Sequence, residues 1–496
     1  MSDFSVFGDL KMYSLILLLV FLLVMITVGV WGMRRTSSLN DFFLGGRSSG
    51  PWMSAFAYGT TYFSAVVFIG FAGKQGWLFG LNALWIGVGN AVLGAMLAWL
   101  LLARRTRRMT QNLGSMTMPE FLEARYGSAH MKMVAAVLIF IFLLPYSASV
   151  FKGLGHLFES TFNISFDFAL IILVGITGLY LVLGGYSAVM MTDFIQGFIM
   201  LAGAIGMLVV LTARAGGLSE AVSAISADYP LHVPTGQRPS VLTVASLVFM
   251  TSFGTWGMPQ MVQKFYAVKD ERVIPKAAVI TTIFALVIGV AAYFSGVLSH
   301  VFFTPETLPH FANGAVNYDM IMPVLLTTYL PEILLAVIML LVLSASMSTL
   351  ASMILVSSSA ITIDLYKGYL NRQVSEKQSV FMMRILSAVF ILASYAISRL
   401  QIGFIVTLMS LSWGVLSGAF MAPYILGIFC KRITKVGAYA GLYSGAATAV
   451  VLTMTLGAAN SPLAASIAMV VPFAVVPLVS LFTPKVDQSI IDKAFQ

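Results

Sequence analysis

The amino-acid sequence predicts an all-α polytopic membrane protein with about 13 transmembrane helices. Three features predict it: 59% of residues are hydrophobic, only 9% are charged, and apolar runs long enough to cross a bilayer recur along the whole chain. A soluble domain carries roughly 25% charged residues because its surface faces water. These 496 residues could not cover such a surface. The net charge of +9 does not point to nucleic acid, since the basic residues sit in short breaks between apolar runs, the pattern of the positive-inside rule. The single cysteine, Cys430, excludes an internal disulfide and any multi-cysteine metal site.

The first run, 12–33, is long enough to span, which takes about 20 residues. Asp3 and Asp9 precede it without a basic segment, so it is expected as a retained extra N-terminal helix. Runs at 52–73, 78–102, 131–150, 166–184 and 188–212 make a first five-helix unit, 52–212. Between the second and third of these, Thr117-Met118-Pro119-Glu120 reads as a capping box opening a short helix. The polar stretch 213–240, with Gly216, Gly217, Pro230 and Pro234, is expected as a loop with one short helix. Runs at 241–261, 277–302, 332–364, 380–398 and 403–428 make a second unit, 241–428, and two C-terminal helices fill 437–482. Together these form a single membrane domain, 1–496.

Orientation follows from Lys and Arg. With the N-terminus outside, 22 of the 28 fall on inside loops, among them Arg47, Arg104, Arg105, Arg107, Arg108, Lys264 and Lys269. Lys11, Lys74, Lys152, Arg214, Arg238 and Arg399 fall outside. The expected topology is N-out and C-in, in the plasma membrane.

Two spans are interrupted. The second carries Tyr58-Gly59-Thr60-Thr61-Tyr62-Phe63-Ser64 at mid-length, and the seventh carries Ser252-Phe253-Gly254-Thr255-Trp256-Gly257-Met258-Pro259. Unpaired backbone groups cost several kcal/mol in lipid, so a broken helix persists where it lines a cavity or binds something. Breaks at matching places in two halves point to an inverted-repeat transporter with its site near the midplane. Packing glycines and a proline kink are the alternative. The ninth span adds eight Ser and Thr residues within 344–359. Ala345, Ser348 and Thr349 stand at i, i+3 and i+4, on one face. Two hydroxyls and a carbonyl there, with carbonyls freed in the second span, could surround a hard cation such as sodium. A small-residue helix seam is the bland counterpart.

Ser346-Met347-Ser348-Thr349-Leu350 with Ser358-Ser359-Ala360-Ile361-Thr362-Ile363-Asp364 resembles the sodium/solute symporter family, in particular its proline and pantothenate branch. So do Phe43-Leu44-Gly45-Gly46-Arg47-Ser48 and Gly184-Gly185-Tyr186-Ser187-Ala188 with Thr192-Asp193. The resemblance implies a leucine-transporter-type 5+5 inverted repeat with one extra N-terminal and two extra C-terminal helices. It implies a sodium site at the carbonyls of Thr60, Phe63 and Ala345 and the hydroxyls of Ser348 and Thr349. A second sodium site or exit path falls on Asp193, Ser348 and Ser352, with Ala351 where a serine is expected. For the solute it implies Tyr146 and Pro259, while Thr251 and Thr255 replace a tryptophan and a tyrosine, and Tyr62 replaces an aspartate. Val66 and Val67 stand where sugar carriers have polar residues; Phe253, Trp256 and Trp413 are candidate aromatic contacts, and Ser64 a polar one.

The expected activity is sodium-driven import of a small organic solute, an amino acid such as proline or a small carboxylate, with sodium as the only cofactor. A pantothenate-type or monocarboxylate symporter is the alternative, and a membrane-embedded solute sensor the alternative of another class. The chain stops about a dozen residues after its last span, without a signalling domain. Proton coupling would want an acid or base beside the ion site, where Ser348 and Thr349 are neutral. No nucleophile–base pair suggests an enzyme, and no filter motif suggests a channel. The expected partners are the solute and the bilayer, with no obligate protein partner.

Overall fold

The computed structural model describes residues 3–35, 39–370, 373–401 and 403–496, with side chains left aside at 3–14, 33–35, 39 and 176–184. Apart from two isolated β-bridges, the described residues are helices and connections. In chain order the main helices are α1 (Asp3–Arg35), α2 (Pro51–Tyr62), α3 (Val66–Leu113), α4 (Met118–Tyr126), α5 (Ala129–Phe162) and α6 (Phe166–Arg214). They continue as α7 (Leu218–His232), α8 (Val241–Phe253), α9 (Pro259–Tyr266), α10 (Val273–Val297) and α11 (Glu332–Ser359). The last are α12 (Glu376–Arg399), α13 (Ile405–Phe429), α14 (Lys435–Leu456) and α15 (Ser461–Leu481).

Among the described residues 11 helical stretches are long and apolar enough to cross a membrane, against about 13 expected. The expected spans at 52–73 and 166–184 fall outside that number, the first because it is broken at Phe63 and the second because only 166–175 of it is described with its side chains. The 48 residues of α3 would measure about 72 Å if straight, more than twice the about 30 Å hydrocarbon core. The run turns at Gly80, whose φ is +54°. The 49 residues of α6 hold both expected spans 166–184 and 188–212, parted at Gly185 with φ 62° and ψ −179°. That backbone region is essentially closed to residues with a Cβ. A Cβ on Gly185 would also lie 3.0 Å from the Phe42 ring. Gly185→Ala is expected to destabilise the protein by about 1–3 kcal/mol, read as a lower thermal unfolding midpoint in detergent.

The two interruptions expected from sequence are present. Gly50 is extended and Pro51 opens α2 at its first turn, where a missing N–H costs nothing. The helix stops at Phe63, with φ −105° and ψ 127°. After α8 come a single 3₁₀ turn, Gly254–Trp256, and Met258 in extended conformation, before Pro259 opens α9. Both breaks are buried. Every residue from Ser54 to Tyr62 is covered, as is every residue from Leu341 to Ser359 on α11. The helix α2 packs against α6, α10 and α11, while α14 and α15 cover α13.

At the start of α4 the structure modifies the expected box. Thr117 caps α4 by accepting from the Glu120 amide at 3.0 Å, but the Glu120 carboxylate reaches one residue further back, to the Met116 amide at 2.8 Å. The segment 213–240 holds the helix α7, as expected. Two glycine pairs set the seam between α3 and α10. A Cβ on Gly76 would fall 2.3 Å from the Gly296 backbone, one on Gly296 would fall 1.9 Å from the Ala72 carbonyl oxygen, and one on Gly87 would fall 2.9 Å from the Gly289 backbone. Backbone meets backbone there.

Candidate functional site

The break in α2 leaves carbonyls without the next helical turn, and α11 supplies hydroxyls opposite them. Ser348 Oγ lies 2.8 Å from the Thr60 carbonyl and 3.0 Å from that of Ala345. Thr349 Oγ1 lies 2.9 Å from the Ala345 carbonyl, 3.0 Å from that of Thr61, 3.4 Å from that of Thr60 and 3.5 Å from that of Phe63. All five expected ion-site residues therefore stand around one point, fully buried. Thr61 joins them, and sequence spacing did not single it out. The amide of Ala65, where the chain resumes its helical course, donates to Ser346 Oγ at 3.1 Å, and that of Val66 to Ser64 Oγ at 3.2 Å. These amides are capped by the chain itself.

Asp193 of α6 and Ser352 of α11 also come together, one turn beyond Ser348. Between them stands Lys264 of α9, which the sequence had placed in a loop. Its Nζ lies 2.9 Å from Ser352 Oγ and 3.6 Å from Asp193 Oδ2. The Lys264 and Asp193 side chains are 1% and 0% exposed. The signal that could have found Lys264 is the stripe Gln260, Gln263 and Lys264, polar and buried at i, i+3 and i+4 after Pro259.

The candidate solute residues divide. Tyr62 donates to the Thr251 carbonyl at 2.7 Å, tying the two breaks together. A Cβ on Gly94 would sit 2.1 Å from the Tyr62 hydroxyl, so the ring occupies space that only a glycine leaves. Thr255 Oγ1 donates to the Ser252 carbonyl, and Tyr58 is 3.4 Å from it. Tyr146 of α5 stands edge-on to Trp413 of α13, with ring centres 5.8 Å apart, and Trp413 lies against Gly254. Trp256 turns elsewhere: its indole N–H donates to the Leu93 carbonyl at 3.1 Å, and Phe253 packs on it within a groove shared with Trp85 and Val248. Pro259 lies toward the arginine-rich end, lining a small cavity with Phe43, Thr117, Gln263 and Asp364.

That end is held shut by backbone and guanidinium contacts. Ser49 and Val268 form a parallel bridge, with Ser49 donating to the Ala267 carbonyl and Lys269 to that of Ser49. Arg107 donates to the Val268 and Lys269 carbonyls, and Arg47 to that of Ser115 at 2.7 Å. Burial, with the Arg107 guanidinium nearby, pulls the Arg47 pKa down to about 10, so it stays charged at neutral pH. At the opposite end Lys152 pairs with Asp319 at 3.2 Å and donates to the Gly403 carbonyl at 2.7 Å.

Residues 42–445 match the Sodium:solute symporter family. The chain belongs to that family. As a member of the sodium:solute symporter family it couples solute import to sodium, and such carriers are not an enzyme class. The high-affinity proline transporter PutP of Bacillus subtilis (strain 168) is 31% identical over 438 residues, 86% of this chain and 89% of that one. The sodium/proline symporter of Escherichia coli (strain K12) is 30% identical over 441 residues, 87% of this chain and 86% of that one. Among solved structures, that of a Na+-coupled sialic acid symporter superposes with a TM-score of 0.81 at 19% identity, over 96% of this chain and 98% of that one. A nucleobase-cation-symport-1 family transporter gives 0.53 at 13% identity, over 92% and 97%. These likenesses show the fold: this symporter-family chain has the leucine-transporter-type architecture expected of it, as a multi-pass membrane protein.

Proposed function

We propose that this chain imports a small amino acid such as proline, or a small carboxylate, together with sodium, by alternating access. The convergence of the Thr60, Phe63 and Ala345 carbonyls with the Ser348 and Thr349 hydroxyls carries the reading. Those oxygens are hard and neutral, so they suit a monovalent cation that must also leave. Sodium there would hold the α2 break against α11. The solute site lies beside it, with Tyr62, Ser64, Tyr146, Thr251 and Thr255 as its candidate lining, while Trp256 and Pro259 stand further from it. The proline relatives favour an amino acid; a pantothenate-type or other monocarboxylate would share only its carboxylate.

The architecture is read as a repeat of five helices over 52–212 and five over 241–428, between an extra helix at 12–33 and two at 437–482. Breaks in the opening helix of each unit support that division. The arginine-rich end faces the cytoplasm, with the N-terminus outside, in keeping with the distribution of positive charge. Binding of sodium and solute must be reciprocally coupled.

Uptake by the full chain in proteoliposomes tests the proposal, with labelled proline, other amino acids and small carboxylates under inward sodium or proton gradients. Sodium-dependent accumulation of one compound is expected. Uptake driven by protons alone would overturn the ion, and sodium-dependent binding without accumulation would favour a sensor.

A further inference from the structure

The Lys264 ammonium sits where four segments meet: α9, which carries it, the Asp193 turn of α6, Ser352 on α11, and the break after α2. Ser352 Oγ is 2.9 Å from Lys264 Nζ and 3.1 Å from Thr61 Oγ1. The Thr61 carbonyl in turn accepts from Thr349 at 3.0 Å, so this cluster is joined directly to the first oxygen cage. Lys264 also lies over the Tyr186 ring, 5.2 Å from its centre. The Asp193 carboxylate is fully buried, and neither of its oxygens has a hydrogen bond among the described residues. A buried carboxylate flanked by serine hydroxyls would draw a cation from solution. Here the chain brings its own.

We propose that Lys264 is a tethered cation filling the second ion site, so that this carrier binds and moves one sodium per cycle. The inference rests on the sodium-coupled reading above. With Lys264 charged, Asp193 is already neutralised. A sodium ion added beside it would set two positive charges against one negative in a medium where charges a few ångströms apart interact strongly. The aliphatic stem reaches from α9, just past the second break, so the tethered charge moves with that half-helix and never exchanges with water. A sodium ion at the same place would have to dissociate in every cycle. Ala351, which offers no oxygen where a sodium cage would use one, fits a site that holds an ammonium with fewer partners.

The test counts radioactive sodium bound at saturation to the purified full chain in detergent, with no solute present. Wild type is expected to bind one ion per molecule, with a Hill coefficient near one. Lys264→Ala, which frees Asp193, is expected to bind two. Lys264→Ala/Asp193→Asn, with neither charge, is expected to return to one. Two ions on the wild type, or one ion on a folded Lys264→Ala, would overturn the proposal. A pair that merely braced the helices would leave the count unchanged. If Lys264→Ala fails to fold, the wild-type count decides alone. A wild type that binds no sodium would overturn the sodium reading itself, a result distinct from binding two.

Discussion

Thr349→Ala is expected to weaken sodium binding by about ten- to a hundredfold, and Ser348→Ala/Thr349→Ala to abolish sodium-driven uptake at millimolar sodium. Each hydroxyl is buried and faces more than one carbonyl, so its removal takes away an ion ligand and leaves acceptors unmatched. Contacts of a charge with a polar group are worth about 1.5–3 kcal/mol each, and about 1.4 kcal/mol is tenfold in affinity. Stability gives a second readout. Sodium at about a hundred times its Kd adds about 2.7 kcal/mol to the folded state, so wild type should unfold at a higher temperature in sodium than in choline. The double variant should show no such difference. A full sodium shift in the double variant would remove the cage from these residues.

The second large effect concerns stability rather than uptake. Asp193→Asn is expected to destabilise the protein by about 3–5 kcal/mol, because it strands the Lys264 ammonium without its counter-charge. Lys264→Met/Asp193→Asn should recover most of that loss, since removing both members of a buried pair is often neutral. Thermal unfolding of wild type, Asp193→Asn, Lys264→Met and the double variant, all in choline, closes a double-mutant cycle. Additive losses would show that the two side chains do not act as a pair.

Much of this arrangement was legible in the sequence because lipid leaves few ways to satisfy a polar backbone. Residues 57–64 and 252–259 interrupt apolar runs with glycine, proline and hydroxyls, and both places are breaks in the structure. The i, i+3, i+4 placement of Ala345, Ser348 and Thr349 gave one face of α11, and the structure brings that face to the α2 break. What failed was reading where an apolar run ends. Lys264 follows a proline and two glutamines, so composition assigned it to a loop, whereas α9 continues to Tyr266 and buries it. Asp319 was passed over for a similar reason, because its partner Lys152 lies 167 positions earlier and only the fold unites them. The number of spans is less directly readable, since the chain turns at Gly80 and Gly185 inside long apolar runs.

The glycine seam between α3 and α10 has a mechanical consequence. Helices normally interlock, with the side chains of one lodged between those of the other, and sliding then demands that rotamers change. Where Gly87 meets Gly289 and Gly296 meets the Ala72 backbone, there are no teeth to disengage. Pulling these helices apart would forfeit every close contact, whereas gliding one along the other exchanges each contact for a similar one. Such a surface works as a plain bearing, stiff against separation and compliant along its length.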